Sequence, residues 1–269
     1  MKKVIAIFGM PRSGTSFIGQ ILDSSPDVSF RMEPIFSYKL KNIVDENSAK
    51  EEYINFFDKA FDSNEDVFMN QFEQRKKGIY PIFAKKDPDM LVFKMTRFHQ
   101  IIPTLLKHFD SSFLKIVVVV RNPCGAINSW LSHPNEFPQH CDKFKEWKTG
   151  NCRKTAKEEF WGFNDWKEVT LMHMEMEKKY KNLKIFRYED AVKDIDSFTK
   201  KLFEFTDLKK TKQTDEFIGK CQNRNDADPY SVFKNKSVAI KWKKDLDKAI
   251  LEEIYKDLKG TKLETFLID

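Results

Sequence analysis

The sequence predicts an α/β fold: a single domain, residues 1–269, on a mostly parallel central sheet of about five strands flanked by helices. Three observations predict it. A short β-branched run, Val4–Phe8, passes through a glycine-containing turn directly into a helical pattern at Thr15–Leu22, with apolar residues at Phe17, Ile18, Ile21 and Leu22. Strand-like and helix-like segments then alternate along the chain. Finally, Ile116–Val120 is apolar at every position, as a central strand covered on both faces must be.

Strands are expected at Lys3–Phe8, Val28–Arg31, Met90–Met95, Lys115–Val120 and Leu183–Arg187. Helical patterns fall near 14–23, 36–60, 98–109, 123–132, 156–180, 190–205 and 244–259. Within 156–180, Phe160, Phe163, Trp166, Val169 and Met176 follow helical spacing and read as core, with His173 structural. Ligands of such sheets sit beyond the carboxyl ends of the strands. Each end is polar here: the glycine turn after the first strand, then Arg31-Met32-Glu33-Pro34, Lys94-Met95-Thr96-Arg97, Arg121-Asn122-Pro123 and Arg187-Tyr188-Glu189-Asp190. Cations converging with a carboxylate on one sheet edge predict an anion-handling cleft.

Composition narrows the class. Apolar residues make up 41% of the chain and include 25 Phe, ample for a packed core. Lys and Arg number 47 against 41 Asp and Glu, a net +6. That modest excess suits a small anionic ligand better than a nucleic acid. The apolar run at the N-terminus is too short for a signal segment or a membrane span, and no other stretch is long enough to span. A soluble, cytoplasmic protein is expected. Cys124, Cys141, Cys152 and Cys221 lack C-x-x-C spacing, so zinc is not expected and free thiols are. Cys141 and Cys152 bracket a loop that an oxidising compartment would allow to close.

The turn carries the most specific chemistry. Gly9 and Gly14 have the spacing of the two P-loop glycines, but position 15 is Thr where that loop needs Lys, and Arg12 lies inside it. Backbone N–H groups and a helix N-terminus would hold an anion there. Without the lysine, the loop is suited to a phosphate ester rather than to a γ-phosphate with Mg²⁺. Arg12 could instead pair with a neighbouring Glu on the surface.

At this point the chain resembles a known family, the sulfotransferases that use 3′-phosphoadenosine 5′-phosphosulfate (PAPS). GMPRSGTSFIGQILDSSPDV is similar to their 5′-phosphosulfate loop and first helix. VVVVRNPCGAINSW is similar to their 3′-phosphate motif, with a Ser eight residues beyond the Arg. KIFRYEDAVKD and SVAIKW resemble two weaker segments, the second of which closes over the nucleotide. The resemblance implies a P-loop-NTPase-like sulfotransferase fold and PAPS as cofactor, with adenosine 3′,5′-bisphosphate as product and no required metal. Cofactor contacts are implied for Arg12, Ser13, Gly14, Thr15, Ser16, Arg121, Ser129, Tyr188, Lys241 and Trp242.

Arg12 in the loop and the Glu33-Pro34 pair resemble the carbohydrate and tyrosylprotein branches. Glu33 is then the candidate general base, held in extended backbone before Pro34. His99, near the end of the third strand, is the alternative base. Arg12 is the candidate for stabilising the leaving phosphate, and Lys94 for contacting the bridging oxygen or the sulfonate. Each has a plainer reading: Lys94 as a solvated strand-end lysine, Glu33 paired with Arg31 or Arg97, Ser129 bonding its own backbone, Trp242 as core.

The expected reaction is sulfuryl transfer to a hydroxyl-bearing acceptor, a carbohydrate or glycolipid before a peptide tyrosine or small alcohol. The segments 34–90 and 133–160 are expected to build the acceptor pocket. The alternatives are a P-loop nucleotide kinase or NTPase, against which Thr15 speaks, and a non-enzymatic binder of acidic polymers. The eukaryotic carbohydrate and tyrosine enzymes carry a membrane anchor that this sequence lacks, which leaves a bacterial-type enzyme or a trimmed catalytic domain. Nothing in the sequence specifies an oligomeric state.

Overall fold

A computed structural model describes residues 1–234 and 236–268. Strands β1 (Lys3–Phe8), β2 (Val28–Met32), β3 (Met90–Met95), β4 (Leu114–Val120) and β5 (Leu183–Arg187) form one sheet in the order β2-β3-β1-β4-β5. Every neighbouring pair is parallel. β2 and β4 each run one residue longer than the sequence pattern suggested. β1 lies at the centre, and the chain leaves it to one side for β2 and β3 and to the other for β4 and β5. The carboxyl ends of β1, β3 and β4 are thereby brought side by side, with Phe8 opposite Met95 and Val118.

Period-two alternation divides the core into two layers. Val4, Ala6 and Phe8 of β1, with Ile116, Val118 and Val120 of β4, face one layer. That layer is completed by α2 (Lys50–Asp62), α4 (Ile102–His108), α5 (Pro123–Leu131), α7 (Gly162–Lys179) and α13 (Lys248–Leu258). Ile5, Ile7, Val117 and Val119 face the other, against α1 (Thr15–Asp23), α8 (Tyr188–Lys193), α9 (Ile195–Thr206) and α10 (Lys212–Asn223). The short helices α3 (Phe72–Lys76), α6 (Lys143–Glu146), α11 (Ser237–Ile240) and α12 (Trp242–Asp245) sit in the connections. Phe163, Trp166 and Val169 are buried along α7 as their spacing predicted, and Phe160 and Met176 pack partly buried against the same layer.

The helical pattern from residue 36 does not hold. Regular helix begins only at Lys50, after a 3₁₀ turn at Pro34–Phe36 and irregular chain. Polar side chains take the backbone groups a helix would use: Ser37 Oγ accepts from Leu40 N and donates to Pro34 O, and Asp45 Oδ1 accepts from Asn47 N. α10, at 212–223, lies outside the helical patterns read from the sequence, its apolar residues Phe217, Ile218 and Cys221 being few among charged and polar neighbours.

Asp23, at the end of α1, is buried and pairs with Arg75 Nη2 and Lys85 Nζ, each at 2.7 Å. It ties the segment after α3 to α1. Removing the carboxylate would leave two partly buried cations unpaired, so Asp23→Ala should destabilise the fold by about 3 kcal/mol. A urea midpoint unchanged from wild type would contradict that role.

Candidate functional site

The loop between β1 and α1 is shaped by two close approaches and one strained residue. A Cβ on Gly9 would lie 2.5 Å from the Val119 carbonyl oxygen, so only glycine lets the loop pass over β4. Gly14 has φ 87°, and a Cβ there would meet the Tyr188 ring at 2.3 Å. Arg12 takes φ 67°, a left-handed conformation that costs a non-glycine residue energy. Thr15 and Ser16 open α1 on the cavity wall, and Ser16 shares a hydrogen bond with the Tyr80 hydroxyl. Ser13 is buried, and its hydroxyl has no partner among the described residues.

Arg12 and Arg121 meet beside this loop. Arg12 Nε reaches Ser129 Oγ at 3.3 Å, and its Nη2 donates to Pro229 O at 3.2 Å. Burial, together with Arg121, lowers the Arg12 pKa, against which Glu136 acts. Arg121 follows β4, donates to Arg12 O at 3.0 Å and Val238 O at 3.2 Å, and lies 4.7 Å over the Tyr188 ring. Its Nε is buried without a partner among the described residues. Arg121 with Ser129, and Tyr188 from the far end of the sheet, thus stand with Arg12 around one space.

Glu33 stands across the cavity in left-handed backbone, φ 45°, rather than in the extended conformation expected before Pro34. A 3₁₀ turn starts there, and a tertiary bond, Glu33 N to Lys94 O at 2.7 Å, holds it. Glu33 Oε1 accepts three hydrogen bonds: from Lys94 Nζ at 2.9 Å, Thr96 N at 2.8 Å and Thr96 Oγ1 at 2.5 Å. Oε2 accepts none; its nearest cation is Arg97 Nη1 at 3.9 Å. Burial works to raise the Glu33 pKa, but Lys94, Arg97 and the hydrogen bonds outweigh it and hold the carboxyl below its ordinary value. Glu33 is therefore ionised at neutral pH, with one oxygen fixed and the other free. Lys94 is buried and ion-paired with it, not solvated. Arg97 also pairs with Glu159 at 3.2 Å and covers the Phe36 ring at 4.1 Å.

A cavity of about 840 Å³ joins the two halves. Its walls include Arg12, Gly14, Thr15 and Ser16, then Glu33 and Lys94, then Arg121, Ser129 and Tyr188. The structure does not bring every expected residue there. Trp242 is buried in the core, and the Lys241 side chain is 66% exposed and faces Asp245 at 3.5 Å; neither lines the cavity. Two strand-end arginines also leave the expected cluster. Arg31 is buried toward the end of α2, donating to Ala60 O, Phe61 O, Asn64 and Asn70, and Arg187 donates to the Ile268 carbonyl. Strand alternation points Arg31 to the face opposite its neighbours.

His99 is buried among Phe8, Phe160 and His173 and does not line the cavity. Burial depresses its pKa to about 4. Tyr80, Glu136 and Arg153 line the cavity from the segments expected to build the acceptor pocket, although none stood out individually, and Trp161 and Tyr230 line it from outside those segments. Among them Glu136 accepts from Tyr230 at 3.3 Å and faces Arg153 at 3.5 Å, a link between segments 94 residues apart.

Comparison with known proteins follows the same line. The family model described as "Sulfotransferase domain" matches residues 2–266. No curated protein sequence matches. Among solved structures, mouse sulfotransferase SULT7A1 complexed with PAP is similar at 16% identity and TM-score 0.56, over 99% of this chain and 88% of that one. Retinol dehydratase in complex with retinol and PAP is similar at 14% identity and TM-score 0.56, over 97% and 82%. The sulfotransferase domain from the Synechococcus PCC 7002 olefin synthase is similar at 15% identity and TM-score 0.53, over 100% and 97%. At such identities the likeness is one of fold. Among the described residues, no helix is long and apolar enough to cross a membrane.

The buried His99 has a measurable signature. Its folded pKa of about 4 lies below the ordinary 6.5, so the unfolded chain takes up the proton first and stability is lost as pH falls from about 6.5 toward 4. His99→Phe, which keeps a ring among phenylalanines, should remove roughly 2 kcal/mol of the stability lost between pH 7 and 5. Denaturant titrations at the two pH values measure it; an unchanged difference would mean His99 is not buried neutral.

Proposed function

The chain belongs to the sulfotransferase domain family, and from that premise we propose that it moves a sulfuryl group from PAPS to an acceptor hydroxyl, with Glu33 as base. The observation that carries this reading is Glu33 itself: an ionised carboxylate with one oxygen clamped by three donors and the other free, in the same cavity as the half-buried Arg12 and the buried Arg121.

The residues present fit an anionic nucleotide. The orphaned Arg121 Nε suits a phosphate-bearing ligand, as does the opening of α1 on the cavity wall at Thr15 and Ser16. Bound PAPS supplies the activated sulfuryl group and a phosphate leaving group. Arg12 and the first N–H groups of α1 would hold the 5′-phosphate and stabilise the charge that grows there, with Ser13, Thr15 and Ser16 around them. Arg121 and Ser129 would hold the 3′-phosphate, and Tyr188 would support Arg121 from below. Lys94 donates one N–H of its ammonium to Glu33 Oε1 and has two more that could reach oxygens of the transferring group. Glu33 Oε2 takes the acceptor proton as the new bond forms; an acceptor hydroxyl has so high a pKa that removal before attack is not needed.

For the acceptor we retain a carbohydrate or glycolipid. Phe36, Phe68 and Trp161 line the cavity together with Gln71 and Gln74, an apolar face with amide donors and acceptors that suits a sugar ring or a lipid-borne sugar.

Calorimetric titration with adenosine 3′,5′-bisphosphate, with 5′-AMP and with ATP plus Mg²⁺ tests the nucleotide half. The bisphosphate should bind, and Arg121→Ala should weaken it by about 10- to 100-fold while leaving 5′-AMP nearly unchanged. Binding of ATP with Mg²⁺ in its place would replace this reading with that of a nucleotide kinase. For the chemical half, Glu33→Gln should lower kcat by about 10²–10⁴ with bisphosphate affinity kept. Arg12→Ala should lower it by about 10²–10³. The turnover assay would use labelled PAPS with carbohydrate, glycolipid, phenol and steroid alcohol acceptors in parallel. Sulfation of only the last two would overturn the acceptor assignment.

A further inference from the structure

We propose that Glu189 is a positioning residue for the 3′-phosphate site: it fixes the peptide unit from which Arg121 projects, and so lets the protein distinguish a nucleotide with a 3′-phosphate from one without. This rests on the assignment of Arg121 and Ser129 to that phosphate.

The argument starts where the sheet ladder stops. The pairing of β4 with β5 ends at Val120 opposite Arg187, because β5 turns into α8 at Tyr188. The next backbone N–H groups of the β4 chain have no strand to pair with, yet Asn122 is fully buried and its N–H needs a partner. Glu189 supplies it: its Oε1 accepts from Asn122 N at 3.0 Å, extending the ladder with a side chain. The other end of the same peptide unit is also held, since the Arg121 carbonyl oxygen accepts from Trp166 Nε1 at 3.1 Å. The Arg121–Asn122 peptide is therefore clamped from both sides.

What leaves this peptide is the site. Asn122 Oδ1 caps α5 through Cys124 N at 3.0 Å, and α5 carries Ser129. Arg121 stands on the Tyr188 ring, next to Glu189 in sequence. A rotation of the clamped peptide would move the guanidinium and the serine together. Glu189 does not line the cavity and touches no expected ligand position, so it acts only through Arg121 and Asn122. Burial raises the Glu189 pKa, against its hydrogen bond from Asn122. Its task is that of an acceptor, which an amide oxygen can also perform.

The test compares Glu189→Ala, Glu189→Gln and wild type by calorimetry with adenosine 3′,5′-bisphosphate and 5′-AMP. In Glu189→Ala the affinity ratio of bisphosphate to 5′-AMP should fall about tenfold, the size of one buried hydrogen bond. Glu189→Gln should stay within about twofold of wild type. Trp166→Phe removes only the N–H at the other end of the clamp and should also lower the ratio, which keeps the test decisive if Glu189→Ala fails to fold. An unchanged ratio in Glu189→Ala and Trp166→Phe, equal weakening of both nucleotides, or a Glu189→Gln variant as impaired as alanine would overturn the proposal. A wild-type chain that does not discriminate would instead remove the 3′-phosphate assignment, and the proposal with it.

Discussion

Positive charge buried at one edge of the sheet is the constraint on which this structure depends. Arg12, Lys94, Arg97 and Arg121 all lie on the cavity wall with little access to water, and an uncompensated buried cation is strongly unfavourable. Two of them are paired with carboxylates, Lys94 with Glu33 and Arg97 with Glu159. The other two are not. Arg12 and Arg121 lean on a serine, on a ring and on backbone carbonyls of the loop, of Pro229 and of Val238. Those are neutral acceptors, and they leave the two arginines the most receptive to an anion.

The division of charge gives the cavity two ends with different chemistry. The arginine end has donors in surplus and a helix N-terminus, both of which favour phosphate. The carboxylate end has an ionised Glu33 whose position is set by Lys94 and Thr96. Under the proposed function, the positive end would draw charge toward the leaving group and the basic end would receive the acceptor proton, complementary halves of one group transfer. Lys94 donates to Glu33 Oε1 and lies on the cavity wall, so under the proposed function it would both hold the base and face the transferring group.

Much of the fold was legible because the sheet is parallel and covered on both faces. Such strands must be apolar along their whole length, so Val4–Phe8 and Ile116–Val120 stand out, and the alternation with helices follows. Glycine spacing around Arg12 was legible for a similar reason, since only Gly9 permits the approach to Val119. The errors have local causes. The helix expected from residue 36 yielded to Ser37 and Asp45, whose side chains capture the backbone. His99 offered a base by its type, but burial among aromatic rings leaves it neutral and off the cavity wall.

Sequence alone determined the α/β class, the glycine loop and the set of polar strand ends, because each follows from periodicity or from backbone sterics within a few residues. Only the tertiary structure decided which of those ends share a site. Arg31 and Arg187 look like Arg121 in sequence, yet side-chain direction sends one toward α2 and the other to the Ile268 carbonyl. Trp242 likewise went to the core rather than to the cavity. The contribution of Glu136, Arg153 and Tyr230 and the clamp of Glu189 on Asn122 depend on side chains from distant segments meeting within about 3.5 Å. No local pattern encodes such meetings, because chain closure over long separations is set by the packing of the whole core.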